Sequence, residues 1–255
     1  YFIEGLLMAI CGVVLVLGFD PELVSIQSGV NDDDSSLSTL ILSLLHSASF
    51  ILAVAITGCI SSGVVFALYF ITQVCEARGM TLSQAAMMVT AVFVTAPAPG
   101  MLLGSWCVAK MGGYTDHVVT FGLAFVSAIV VLVCTFLFSL SWDLWGESSQ
   151  LVFALACWFF FSVGAMPGPP LNGVAVSVLP QASHVASGLQ FALANASKIV
   201  VPQIGGFICD RLGLIDGFND TMIACALVLV ALSWSGLVYA KRTASREGVG
   251  SVASS

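Results

Sequence analysis

The chain has 255 residues, of which 58% are hydrophobic and 8% charged, against about 25% charged in an average soluble protein. Seven Lys and Arg, 14 Asp and Glu, a net charge of −7 and a mean hydropathy of +1.04 exclude a water-soluble fold, because so few ions cannot keep a particle of this size dispersed. The acidic balance also excludes a nucleic-acid partner, since no Lys/Arg cluster is present to neutralise a row of phosphates.

Hydrocarbon about 30 Å thick takes about 20 apolar residues of helix to cross, and runs of that length set the expected elements. The first run is 1–19, interrupted by Glu4 and ended by Asp20-Pro21-Glu22. It opens at Tyr1 without a charged segment ahead of it, so it reads as a transmembrane helix in a piece of a longer protein, not as a signal peptide. An acidic linker, 20–46, follows, with Asn31-Asp32-Asp33-Asp34 and then an apolar stretch from Leu37 to Leu45 that suits a short interfacial helix. Six further spans are expected at 47–72, 82–108, 118–140, 151–179, 185–208 and 221–240, and 241–255 forms a tail. Short turns between long runs favour an α-helical bundle over alternating barrel strands.

Orientation comes from the cations. Lys110, Lys241, Arg242 and Arg246 share one side of the alternating spans, whereas Arg78 and Arg211 share the other. The positive-inside rule therefore places the tail, the Lys110 loop and the acidic linker in the cytoplasm.

Lys198 stands near the middle of the 185–208 run, where an ammonium costs about 2.5–3.5 kcal/mol on insertion scales and therefore calls for a partner or a watery cavity. At about 100° per residue, Ser187, Phe191, Asn195, Lys198 and Pro202 share one face, with Gln190 at its border. This stripe is a candidate polar pathway or, alternatively, a set of hydrogen bonds holding the bundle together. Two runs are broken, at Ala96-Pro97-Ala98-Pro99-Gly100 and at Gly164-Ala165-Met166-Pro167-Gly168-Pro169-Pro170-Leu171-Asn172-Gly173. Proline removes a donor and exposes carbonyls, and discontinuous helices mark binding sites and hinges in transporters. Gly58, Ser62, Gly63, Gly205 and Gly206 suit close helix contact.

Catalytic signatures such as H-E-x-x-H, G-x-S-x-G and the P-loop are absent, and His46, His117 and His184 form no Ser/His/Asp grouping by spacing. The eight cysteines show neither C-x-x-C nor zinc spacing. No enzyme activity, cofactor or metal is expected.

The segments Leu179-Pro180-Gln181-Ala182-Ser183-His184-Val185-Ala186-Ser187-Gly188-Leu189-Gln190 and Pro202-Gln203-Ile204-Gly205-Gly206-Phe207-Ile208-Cys209-Asp210-Arg211-Leu212-Gly213 resemble the tenth-to-eleventh helix region of the major facilitator superfamily. Within it they look most like the spinster branch, whose eleventh helix ends in a similar G-x-x-x-D-R-L pattern. Gly104-Ser105-Trp106-Cys107-Val108-Ala109-Lys110 is similar to the superfamily's loop between helices eight and nine, without its acidic residue and second cation. His184 stands where spinster-like chains tend to carry arginine.

The resemblance implies an all-α polytopic membrane protein, made of the carboxy-terminal six-helix half of a major-facilitator-type bundle plus helix six. It further implies a missing amino-terminal half as partner, membrane lipid around the bundle, and alternating-access transport of a small amphiphilic or anionic organic solute, lysolipid- or sphingolipid-like. Protons are a coupling ion in this picture, and the setting is a plasma or endolysosomal membrane. A sugar carrier of the same superfamily and a non-transporting receptor or scaffold are the alternatives. Lys198, Asn195, Gln190 and Asn172 are the expected substrate contacts. Pro97, Pro99, Gly104, Lys110, Pro167, Pro169, Pro170, Gly206, Asp210 and Arg211 are the expected gating positions.

Overall fold

The computed structural model describes residues 37–144 and 149–252. The expected first span and the acidic part of the linker lie outside the described residues. What is described is helical throughout, with nine α-helices and one 3-10 turn and no strand among the described residues.

The helices are α1 (Leu37–His46), α2 (Ala48–Ala77), α3 (Leu82–Thr95), α4 (Pro97–Met111), α5 (His117–Leu144), α6 (Ser149–Ala165), α7 (Gly168–Ser177), α8 (Ser183–Leu212) and α9 (Leu214–Val252), with the 3-10 turn Pro180–Ala182 between α7 and α8. Local chemistry sets their ends. Ser47 caps α2 through Phe50 N–H, and Thr81 and Gln84 form a reciprocal capping box on α3. The Asp116 carboxylate takes the N–H groups of Val118 and Val119 at 2.9 and 3.1 Å to start α5. Between α8 and α9 the chain reverses on one residue, Gly213, whose φ of 94° is strained for any side chain with a Cβ.

Six segments are long and apolar enough to cross a membrane: Ala48–Ala77, Leu82–Met111, His117–Ser139, Gln150–Ser177, Pro180–Leu212 and Leu214–Ser245. A 30-residue helix is about 45 Å long, so its ends reach beyond the hydrocarbon into the headgroup layer. Pro180–Leu212 is the least apolar, with a mean hydropathy of 1.3, because it carries Lys198 and its polar neighbours.

Two spans divide where their prolines were expected to break them, and the end of the last helix extends the expectation. The second described span divides at Ala96 into α3 and α4, with Pro97 as the first residue of the new helix, a position where the missing N–H is not needed. The fourth divides at Met166-Pro167 into α6 and α7. By contrast α8 runs through Pro202 without a break. The expected tail is helical as far as Val252, continuing α9.

The first three spans interleave with the last three. The most extensive pairings are α9 on α5, α8 on α2 and α9 on α2; in the other direction α6 packs on α4, α3 and α5. Exchanging the first three spans with the last three maps the α2–α8 pairing onto that of α6 with α3 and α4, and α2–α9 onto α6–α5. An odd number of spans per set makes the two sets opposite in direction. The core is aromatic, with Phe66 stacked on Phe218 at 5.5 Å and Phe138 edge-on to Phe153 at 4.9 Å. A cavity of about 20 Å³ lies among Ile71, Phe138, Cys157, Phe160 and Met222. None of the residues of the Lys198 stripe line it.

Candidate functional site

The polar groups of α7 and α8 converge where these helices meet. Asn172 is exposed near the middle of α7, and its side-chain oxygen accepts a hydrogen bond from Ser187 Oγ at 3.4 Å. From Ser187 the stripe climbs α8 at helical spacing through Phe191, Asn195 and Lys198. Phe191 is 70% exposed, and Ser187, Asn195 and Lys198 are half-buried. The Lys198 ammonium lies 5.9 Å from the centre of the Phe191 ring, within range of a cation–π contact. Four residues on, Pro202 supplies no N–H to the Lys198 carbonyl. An ammonium and a carbonyl released from the helix ladder thus belong to the same residue, on the same face.

Gln190 departs from the expected role. It is 3% exposed and faces α2, where its Nε2 donates to Thr57 Oγ1 at 3.2 Å. Its Oε1 is buried without a partner. Thr57 commits its proton to the Ala53 carbonyl at 2.8 Å, so turning the amide round would only exchange an unmatched oxygen for an unmatched NH₂. Gln190 therefore belongs to a polar seam between α2 and α8, not to the open stripe. Along that seam Ser62 Oγ lies 2.9 Å from Ser197 Oγ, and both hydroxyls reach the Gly58 carbonyl, at 2.7 and 3.0 Å. Gly58 and Gly205 are the close-contact positions anticipated from their size: an added Cβ would come within 3.0 Å of Ser197 Oγ at the first and overlap the Phe66 ring at the second.

The two broken spans pack against each other. On α6, Trp158 Nε1 donates to Thr95 Oγ1 at 2.9 Å and Ser162 Oγ to the Ala96 carbonyl at 2.7 Å, both at the end of α3. The α6 break releases carbonyls of its own, two of which face α4. Met166 N–H turns to Val163 at 3.2 Å and leaves Ser162, while Pro170 has no N–H to give Met166. Those two carbonyls abut Gly100 and Gly104 of α4, and a Cβ on either glycine would overlap the oxygen it faces. Cα–H···O contacts of this type are worth about 0.5–1 kcal/mol each.

The other expected gating residues are spread along the bundle. Pro167 and Pro170 are fully buried, Pro97 and Pro169 half-buried, and Pro99 exposed. Gly104 is buried in the interior of α4. Lys110 is exposed in the last turn of α4. Gly206 sits beside Phe70, where a Cβ would come within 3.4 Å. Asp210 and Arg211 are exposed at the end of α8, and the Arg211 guanidinium stacks 5.1 Å over Phe207 of its own helix.

One cluster has no sequence signal. His117, at the start of α5, places Nδ1 3.3 Å from Ser49 Oγ of α2 and Nε2 3.1 Å from Ser177 Oγ of α7. Ser177 gives its proton to the Val174 carbonyl at 2.8 Å, so it accepts from Nε2–H, and in the neutral ring Nδ1 then accepts from Ser49. With Asp116 engaged in capping, this arrangement is a brace between three helix ends. It also fixes the starts of α2 and α5 and the end of α7 on one side of the bundle. Among the described residues no three His, Cys, Asp or Glu side chains converge as a metal site would require.

Six apolar spans with a polar stripe on α7 and α8 define a multi-pass, α-helical integral membrane protein. Compared with protein-family models, curated proteins and solved structures, the chain gives no significant match.

Proposed function

We propose that this chain is half of a secondary active carrier of the major facilitator type, spinster-like in its α8 motifs, which moves an amphiphilic or anionic organic solute by alternating access. The observation that carries the reading is the pairing of two opposed three-span sets with a polar, lysine-bearing stripe left on an open side. Internal repeats of this kind, with sites where they meet, are a recurrent design of secondary transporters. In this reading a second six-span half covers the stripe. Lys198 attracts the anionic group of the solute, Asn195 and Asn172 accept or donate hydrogen bonds to its polar part, and Phe191 packs on its apolar part. Binding energy available in both orientations of the halves lets the solute leave on the opposite side. A sugar carrier differs in the solute alone, and the membrane is a plasma or endolysosomal one.

The test is uptake or efflux by the full-length protein in vesicles. Lys198→Ala is expected to lower flux tenfold or more, since a buried charge-assisted contact is worth roughly 1.5–3 kcal/mol, and Asn195→Ala severalfold. Flux untouched by either substitution would remove the stripe from the pathway. The burial of Pro167 and Pro170 favours a second reading, a static membrane receptor or scaffold. Full-length protein that binds a solute without ever moving it would select that one.

A further inference from the structure

Helix α1 is separated from the α2 span by one residue, Ser47, so it sits at the level where α2 enters the membrane. Its sequence, Leu-Ser-Thr-Leu-Ile-Leu-Ser-Leu-Leu-His, carries no Lys, Arg, Asp or Glu. At 100° per residue, Leu40, Leu44, Ile41, Leu45 and Leu42 cover an arc of about 200° that Ser38 interrupts between Leu45 and Leu42, and Thr39, Ser43 and His46 share a strip of about 60°. The bundle uses only part of the apolar arc. Leu44 is 0% exposed in a cluster with Phe50 and Val54 of α2, Ala175 of α7, and Leu179 and Ala186 beside the 3-10 turn. On the other part, Leu42 is 56% and Leu45 42% exposed, and Ile51 in the first turn of α2 is 40% exposed.

We infer that α1 is an interfacial helix, docked through Leu44 on the ends of α2, α7 and α8 and immersed through Leu42 and Leu45 in the headgroup–acyl boundary. Two observations choose lipid as the occupant: the depth imposed by the one-residue link to a span, and the continuity of the leucines with exposed Ile51. Without a cation, α1 is held by apolar area and not by anionic headgroups. It ties the α7–α8 turn to one leaflet. The inference rests on the membrane character of the chain and is independent of whether it transports a solute.

An environment-sensitive fluorescent amino acid placed at position 39, 42, 43 or 45, one at a time, in the full-length protein tests it in phosphatidylcholine vesicles. Lipids brominated on the acyl chain should quench positions 42 and 45 about threefold more than 39 and 43, and added anionic lipid or salt should leave this unchanged. Iodide in the water should show the reverse order. Quenching of 42 and 45 by iodide, or protection of both from lipid and iodide alike, overturns the inference; the second result would mean that protein covers the leucines. The replaced side chains at 42 and 45 are exposed, and retention of the Leu44 contact is checked by an unchanged unfolding temperature.

Discussion

Two helix pairings related by the internal exchange of spans meet the same requirement with different chemistry. Where α6 meets α3 and α4, main chain approaches main chain: Gly100 and Gly104 lie against the Ser162 and Met166 carbonyls, and side-chain donors bridge only near the α3 end. Where α2 meets α8, side chains carry the contact, through Gln190 to Thr57 and through Ser62 and Ser197 to the Gly58 carbonyl. The difference follows from the prolines. Pro167 and Pro170 interrupt the α6–α7 span and release carbonyls that glycine alone can approach closely, whereas α2 is an unbroken helix with no released carbonyl to cover. Without a hydrophobic driving force between helices in lipid, small residues and interhelical hydrogen bonds are the two means of association, and each seam relies chiefly on one of them.

Substitutions at each seam sharpen this contrast, all read as the thermal unfolding midpoint of the full-length protein in detergent. Gly104→Val and Gly100→Val should have the largest effect, about 3 kcal/mol or more, since the atoms in the way are backbone and cannot give. A Gly104→Val protein of normal stability would mean that the two breaks do not touch. Leu44→Ala, which touches the end of the α2–α8 contact without taking part in its hydrogen bonds, empties a fully buried site and should cost about 2–3 kcal/mol, which calibrates the scale. Ser197→Ala is expected to cost about 0.5–1 kcal/mol, the usual worth of a hydroxyl contact between helices in a membrane, and a loss as large as that at Gly104 would refute the distinction between the seams. Gln190→Met should be neutral or stabilising by up to about 1 kcal/mol, because it removes a buried oxygen that has no partner. If Gln190→Met is instead strongly destabilising or abolishes flux, the amide has a partner in the working protein.

Much of the architecture is legible in the chain because it depends on local quantities. Apolar run length marked each described span to within a few residues at most ends, as at Leu82 and Ala48, since hydrocarbon thickness sets a length that sequence must match. The prolines at 97 and 167 announced the breaks for an equally local reason, the missing N–H. Pro202 shows the limit of that argument, for α8 absorbs it while α3–α4 and α6–α7 do not. The candidate site was legible only in part. Helical spacing assembled Ser187, Phe191, Asn195 and Lys198 on one face, but the placing of Gln190 on the opposite contact, with Thr57 133 residues away, needed the partner helix. The brace of Ser49, His117 and Ser177 joins residues 68 and 60 positions apart, and no spacing rule reaches that far.

Composition and patterning by themselves determined that this protein is helical, crosses a membrane repeatedly and carries one costly ammonium at depth, because each of these follows from the solvation of single residues and of the backbone in hydrocarbon. Tertiary structure alone decided which carbonyls meet which glycines, which side of α8 is sealed and which stays open, and which leucines of α1 are covered. Those outcomes depend on which helices come to lie side by side, and that is settled by the complementary shapes and hydrogen-bonding groups of surfaces far apart along the chain.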